Sequence, residues 1–287
     1  MSLFTHYIAV DWSARNEPKR GKDSIWISED SREKGHVGLW NIRTRYEAIK
    51  SIEERMRYAI KSEQRLLIGF DFAFGYPAGF AKAVTEEASW RSIWNWLAEV
   101  VVDNSKNQSN RYEVAGQMNS IIGLEAGPFW GHPHQHEYTN LGPRKPADNP
   151  LSFSLLREIE KKTHGAKSVF QLAYNGAVGS QTILGIASLA RLISKPELCN
   201  HIEVWPFETL NITETSKPIT FAEIYPSSHK VNRDMHDILD AAQVRSASRD
   251  MAYWDKTDVL SDKLKVSGLT SEQSRRVISE EGWILGQ

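Results

Sequence analysis

Short apolar runs that end directly in a carboxylate are the leading pattern of this chain. Ile8, Ala9 and Val10 form a run that is too short for a helix and rich enough in β-branched side chains for a central strand, and Asp11 follows at once. The pattern recurs at residues 66–70, which precede Asp71. Burying a carboxylate is costly, so each aspartate is expected at a strand end that faces solvent, a partner or a metal ion. The plain alternative is a solvated or capping aspartate.

Between these two runs the pattern predicts two more strands and one helix. Residues 23–28 and 37–42 are typical of strands, and Thr44 can cap a helix with apolar positions at residues 49, 52, 56 and 60. The order strand, strand, strand, helix, strand predicts a mixed sheet in which the first and fourth strands are parallel neighbours. Asp11 and Asp71 would then lie side by side.

The remainder of the chain is less regular. Residues 127–150 contain five prolines and three glycines, which favours a long ordered loop or lid. Helices are predicted at residues 90–102, 151–164, from about 180 to 192, 232–253 and 271–280, and short strands at 201–205 and 220–225. No low-complexity linker or repeat divides the chain. We therefore expect one domain over residues 1–287, with an insertion at about residues 72–200.

A second acidic signal lies in the predicted late helix. Asp237 and Asp240 are three residues apart and would share one face, with His236 beside Asp237. The small residues Ala241 and Ala242 would let this helix pack closely on a sheet, so that its acids could point at the strand-end carboxylates. The alternative is a surface helix with ordinary acids. His236 could assist proton transfer, or could merely pack or form a hydrogen bond where the helix starts.

Composition narrows the range of partners. Charged residues make up 25% and the net charge is −1, so bulk electrostatics predict neither a nucleic-acid nor an anionic-membrane partner. A nuclease would need a local basic surface, for which Lys19, Arg20 and Lys22 are candidates. The single cysteine, Cys199, excludes an intrachain disulfide and suits a reducing compartment. Without a signal peptide or an apolar stretch of about 20 residues, we expect a cytoplasmic location.

Three further patterns have both a functional and a structural interpretation. His132, His134 and His136 alternate, so an extended backbone would place all three on one side as zinc ligands; an exposed or substrate-facing loop is the alternative. Residues 176–180 could offer backbone N–H groups to a phosphate, or form a tight turn with a serine cap. Trp12 and Trp130 could stack on a base, or belong to the core.

Five short motifs, in their order along the chain, resemble those of the ribonuclease H-like superfamily. The motifs are Val10-Asp11-Trp12-Ser13, Ile68-Gly69-Phe70-Asp71, Arg157-Glu158, Phe221-Ala222-Glu223-Ile224-Tyr225-Pro226 and the segment from Asp237 to Ala241. The last is similar to the motif that closes the active site of RuvC-type Holliday-junction resolvases. The chain as a whole most resembles the DUF429 family of predicted ribonuclease H-like nucleases. Residues 176–181 and 204–208 resemble a narrower branch, some of whose members carry names from molybdopterin or cobalamin cofactor synthesis.

This resemblance implies an α/β fold, with a ribonuclease H-like mixed sheet flanked by helices and a large helical and irregular insertion. It implies Mg²⁺- or Mn²⁺-dependent hydrolysis of a phosphodiester, in which two ions about 3.5–4 Å apart activate water and stabilise the leaving oxygen. The substrate would be a nucleic acid or a nucleotide-like small molecule. The expected catalytic residues are Asp11, Asp71, Glu223, Asp240 and His236; the metal ligands are Asp11, Asp71, Glu223, Asp237 and Asp240; the substrate-binding residues are Trp12, Ser13, Trp130 and Arg157.

Two other functions remain open at this point. An actin-like kinase or ATPase shares this type of fold, but it needs two copies of it, and the strand series occurs once. A non-catalytic protein, or one of a cofactor pathway, could keep the fold to bind a small phosphorylated or pterin-like ligand. The near-neutral charge and the loop rich in Trp and Pro favour such a binder over a nuclease that grips long DNA. A basic groove beside the acids would indicate a nuclease, and a closed aromatic pocket would indicate the binder.

Overall fold

A six-stranded mixed sheet forms the centre of the fold. The computed structural model describes residues 2–123, 127–146, 151–163, 165–174 and 176–287. The strands are β1 (His6–Asp11), β2 (Ile25–Ser31), β3 (Gly35–Ile42), β4 (Leu66–Phe70), β5 (Ile202–Val204) and β6 (Ile219–Glu223). The helices are α1 (Arg45–Lys61), α2 (Phe80–Thr85), α3 (Trp90–Val100), α4 (Arg111–Ile121), α5 (Glu158–Lys162), α6 (Gly179–Ile193), α7 (Leu239–Lys256), α8 (Leu260–Lys263) and α9 (Ser271–Arg276).

The strand order in the sheet is β3-β2-β1-β4-β6-β5. Strands β1, β2 and β3 form an antiparallel meander, whereas β1, β4, β6 and β5 run parallel. Val10 of β1 is opposite Phe70 of β4, so Asp11 at the end of β1 and Asp71 directly after β4 lie at the same edge of the sheet. The predicted fold class is therefore confirmed, since a mixed sheet flanked by helices is the arrangement expected of a ribonuclease H-like α/β fold.

Helices cover both faces of the sheet, because successive strand residues point to opposite sides. Ile8 and Val10 belong to one buried cluster, together with residues of α1, α3 and α6. Tyr7 and Ala9 belong to the other, together with α7 and the segment around Trp283. As predicted, α1 begins after Thr44, whose side chain accepts the N–H of Glu47.

Helix α7 begins later than predicted. The expected start near residue 232 is wrong: residues 233–235 form a 3₁₀ turn, His236 is extended, and the helix starts at Leu239. The Nδ1 atom of His236 accepts the N–H of Ile238 at 3.0 Å. This local bond competes with the backbone hydrogen bonds of a helix and stabilises the turn. Asp237 therefore lies before the helix, exposed, and does not share a helical face with Asp240.

Five helices, α2 to α6, lie between β4 and β5, and no strand of the main sheet occurs among the described residues of this segment. The helix predicted at residues 151–164 is shorter in the structure, where α5 covers only Glu158–Lys162. His164 lies outside the described residues. In the described part of the chain, no helix is both long enough and apolar enough to cross a bilayer.

Candidate functional site

The carboxyl groups of Asp11 and Asp71 meet at the end of two parallel strands. Each residue directly follows a buried apolar run, and the N–H of Asp71 donates to Val10 O at 3.0 Å, which continues the ladder between β1 and β4. The two carboxyl groups are close enough for the charge of Asp71 to raise the pKa of Asp11, and a hydrogen bond between them requires that one of them hold a proton.

Burial and neighbouring negative charges raise the pKa of both carboxyl groups. Burial raises the pKa of Asp11 well above its ordinary value, and the negative charges of Asp71 and Asp240 raise it further. Burial also raises the pKa of Asp71 to about 7; the hydrogen bond from Asp11 opposes this shift, while the charges of Glu223 and Asp240 add to it. The pair therefore concentrates negative charge that a proton or a metal cation can neutralise.

Asp240, the second residue of α7, supplies a third carboxylate near this pair. Its Oδ2 atom accepts the backbone N–H of Asp23 at 2.8 Å, and its charge raises the pKa of both Asp11 and Asp71. Asp23 lies in the loop between β1 and β2 and has a positive φ of 55°. The charge of Asp240 therefore reaches Asp11 and Asp71, and its partner is Asp23, for which the sequence pattern gave no functional signal.

Glu223 is close to the pair but is engaged by Arg157. Arg157 Nη1 donates to Glu223 Oε2 at 2.8 Å and Nη2 donates to Oε1 at 2.7 Å, and the Phe74 N–H adds a third bond at 3.0 Å. Arg157 also binds Glu160 at 2.8 Å. Glu223 and Arg157 are only 3% and 2% exposed. Two expectations are thereby corrected. Glu223 was expected as a metal ligand, but both of its carboxylate oxygens already accept hydrogen bonds. Arg157 was expected to bind substrate, but it pairs with two buried carboxylates.

The donor set suits a hard cation with an incomplete protein shell. In the part of the chain that the structure describes, no group of three or more His, Cys, Asp or Glu side chains is close enough to form a complete metal site. Mg²⁺ commonly uses one or two carboxylates and keeps several waters, so the pair of Asp11 and Asp71 fits it or Mn²⁺. The wider ligand set expected from the sequence does not gather, because Glu223 is paired and Asp237 is exposed.

The aromatic residues expected to bind substrate are buried. Trp12 is 1% exposed and packs against Phe72 with ring centroids 5.9 Å apart, and Trp130 is 8% exposed. Neither ring offers a free face to a base, so the expectation of a stacking platform is corrected. Ser13 is also buried, and its hydroxyl donates to Asp23 O at 3.3 Å within the loop.

The histidines have mainly structural surroundings. The ring of His236 packs edge-on against Trp26 at 5.1 Å, and its Nδ1 atom accepts the Ile238 N–H. His132 is buried, whereas His134 and His136 are exposed, so the three alternating rings do not converge on one point.

A cavity of about 260 Å³ opens beside Asp71. It is lined by Arg157, Glu160 and Glu223, and also by residues 176–178 and Gln181 at the start of α6. Thr163 and Lys167 also line it. The sequence pattern indicates residues 176–180 as a candidate phosphate loop but gives no signal for Thr163 and Lys167, because no periodic pattern connects them with the aspartates.

No family model, no curated protein and no solved structure matches this chain.

Proposed function

We propose that this chain is a divalent-metal-dependent hydrolase of phosphodiester bonds. One observation carries the proposal: Asp11 and Asp71 stand at the same ends of two adjacent parallel strands, close enough for the charge of Asp71 to raise the pKa of Asp11. Two neighbouring carboxylates that raise each other's proton affinity also favour a small, hard cation between them. The third carboxylate, Asp240, adds negative charge on the side of α7.

Each acidic residue would have a different role in the reaction. Asp11 and Asp71 would hold the ion, and Mg²⁺ or Mn²⁺ would supply water activation and charge neutralisation at the phosphate. Asp240, one oxygen of which is bound by Asp23, would orient the attacking water with the other. In the overall reaction the water oxygen bonds to phosphorus, one ester P–O bond breaks, and the leaving oxygen takes a proton.

The form of the cavity argues against a pterin-like ligand. A binder of that kind needs an enclosed aromatic pocket, whereas Phe72 and Tyr225 are the only aromatic residues among the described ones that line this cavity. The kinase alternative needs a second copy of the sheet, and the described residues form a single sheet with the order β3-β2-β1-β4-β6-β5.

Metal titration tests the proposal. Calorimetry with Mn²⁺ should show that Asp11→Asn weakens binding by at least about 10–100-fold, the range for loss of mere outer-shell partners. Asp237→Asn is the matched control, because it removes the same charge from an exposed aspartate outside the pair. We expect Asp237→Asn to bind Mn²⁺ like the wild type. Equal Mn²⁺ affinity in both variants would remove Asp11 from the site.

Hydrolysis is measured separately with bis(p-nitrophenyl) phosphate, nucleotides and nucleic acids in the presence of Mn²⁺. Asp11→Asn should lose turnover and keep its fold, because the asparagine amide can still donate to Asp71. Failure of the wild type to cleave any of these substrates would contradict the hydrolase proposal.

A further inference from the structure

We propose that the cavity beside Asp71 binds the anionic end of a small phosphorylated molecule, with Lys167 as counter-charge and the Thr163 hydroxyl as hydrogen-bond donor. This inference rests on the proposed function for the place where the bond is broken, and it adds the class of substrate. The ligand would be of about the size of one nucleotide, and the chain would not act within a long polymer.

The size of the cavity supports a small ligand. Its volume of about 260 Å³ is slightly below the range of roughly 300–1,000 Å³ that is usual for small-molecule pockets. The walls formed by α5 and by the start of α6 border it on two sides, and Asp71 lies at its edge. A ligand inside would therefore have its anionic group in the cavity and its ester bond next to the carboxyl pair.

The charges of the walls favour an anion although several acids line the cavity. Glu160 and Glu223 share the single positive charge of Arg157, at 2.8 and 2.7 Å, and burial raises the pKa of Glu160, so this wall is less negative than its two acids suggest. Lys167 is exposed at the cavity and forms no ion pair within the described residues. An ammonium group without an ion pair makes its side of the cavity the one that attracts a phosphate.

Thr163 provides an independent indication. Its Oγ1 atom is buried and has no hydrogen-bond partner in the part of the chain that the structure describes. A buried hydroxyl without a partner costs about 1–3 kcal/mol, so its presence calls for an explanation. Thr163 lines the cavity, so a rotation of its side chain would bring this hydroxyl to a phosphate oxygen bound there.

The start of α6 adds to this electrostatic picture. Residues 176–178 line the cavity and lead into a helix of 15 residues. The positive end of the helix dipole therefore faces the same space as Lys167.

Binding of inorganic phosphate tests the inference independently of catalysis. Calorimetric titration of the metal-free protein in EDTA should give measurable binding, and Lys167→Ala should weaken it about 10-fold or more, as expected for a charged hydrogen bond. Lys106→Ala is the control, because Lys106 is an exposed lysine that does not line the cavity. No phosphate binding by the wild type, or equal affinity in both variants, would overturn the inference.

Thr163→Val gives a second readout that a purely structural residue would not produce. The substitution keeps the shape and removes the unpartnered hydroxyl, so the melting temperature should hold or rise, whereas phosphate affinity should fall several-fold. A lower melting temperature with unchanged affinity would contradict the assigned role.

The outcomes separate this inference from the proposed function. Phosphate binding that depends on Lys167, without hydrolysis of any phosphoester, would retain the cavity assignment and reject the hydrolase. Hydrolysis by the wild type, with a KM that Lys167→Ala leaves unchanged, would retain the hydrolase and reject the cavity assignment. Cleavage of a single-stranded oligonucleotide with a higher kcat/KM than that of mononucleotides and small phosphodiesters would overturn the inference on substrate size.

Discussion

Asp11 is the last residue of β1, Asp71 directly follows β4, and the two strands are parallel neighbours. Both side chains leave the sheet at the same edge, and the pKa of each is raised. A basic side chain paired with them would neutralise their charge, as Arg157 does for Glu223. Among the described residues the aspartate pair lacks such a partner, whereas Asp255 and Glu281, which are buried and also form no ion pair there, accept backbone N–H groups.

We expect the stability of the metal-free protein to fall as the pH rises from about 5 to 8. In the unfolded chain both aspartates titrate near pH 4, whereas in the folded protein the pKa of Asp71 is raised to about 7 and that of Asp11 is also raised. The folded state thus holds more protons over this range, so the pair's contribution is complete below about pH 4 and is lost as the pH passes about 7. Thermal melts in EDTA measure this effect.

Asp11→Asn serves as the control, because it removes the shared proton and should flatten this pH profile. Mn²⁺ affinity of the wild type should rise over the same range, since the ion competes with the proton. A wild-type profile as flat as that of the variant would contradict the shared proton.

At this scale the sequence predicted the acids better than their partners. Asp11 and Asp71 were found because strand order determines which strand ends are neighbours. The pairing of Glu223 with Arg157 was not found, because the arginine comes from the insertion and no local pattern encodes a contact over 66 residues. For Trp12 the stacking role is wrong and the core alternative is correct, and the sequence could not decide between them, since the direction of a side chain just after a strand depends on the turn that follows.

Among the elements, α7 shows how a local bond moves a functional residue. The periodicity of residues 232–253 is helical, yet the bond from Ile238 N–H to His236 Nδ1 delays the helix start to Leu239. Asp240 consequently occupies the first turn, where the positive end of the helix favours its carboxylate. Asp237 falls outside the helix, which periodicity alone could not reveal.

His236→Ala should therefore reduce the stability of the protein and leave its turnover unchanged. Loss of the bond to Ile238 and of the contact with Trp26 should lower the free energy of unfolding by about 0.5–2 kcal/mol, as for a lost helix cap. Chemical denaturation measures this loss, and Asp237→Ala, an exposed neighbour, should change it by less than about 0.5 kcal/mol. A drop in turnover of about 10²–10⁴-fold with unchanged stability would instead make His236 a general acid or base.

Arg157 joins three elements and should be among the most sensitive positions. It binds Glu223 of β6, Glu160 of α5 and the carbonyl of Glu281 near the end of the chain. Arg157→Met leaves two buried carboxylates without a counter-charge, which should cost about 3–5 kcal/mol. Urea denaturation measures the loss.

The matched control for this variant is Arg57→Met. Arg57 also pairs with two glutamates, Glu53 and Glu197, but at an exposed position on α1, so we expect almost no change in the free energy of unfolding. A similar loss in both variants would mean that burial does not determine how much these ion pairs contribute to the free energy of unfolding.

On the scale of the whole molecule, the insertion and the sheet share one hydrophobic core. Leu97 of α3 and residues of α6 belong to the same buried cluster as Ile8 and Ile68 of the central strands. The sequence predicted one domain with an insertion, but not this packing. The insertion's core joins rings from distant segments, such as Tyr76, Phe129 and Phe170, whose association is not visible in any local periodicity.

A shared core predicts a single unfolding transition, in which a destabilising substitution in the insertion also destabilises the sheet. Leu97→Ala removes a fully buried side chain from α3 and should lower the free energy of unfolding by about 2–5 kcal/mol. Far-UV circular dichroism and tryptophan fluorescence should shift together, because the two parts unfold as one unit. Leu210→Ala, the same substitution at a position 39% exposed, should leave both curves nearly unchanged. Two separate transitions in the Leu97 variant would show that the insertion folds on its own, and the cavity beside Asp71 would then be formed between two independently stable parts.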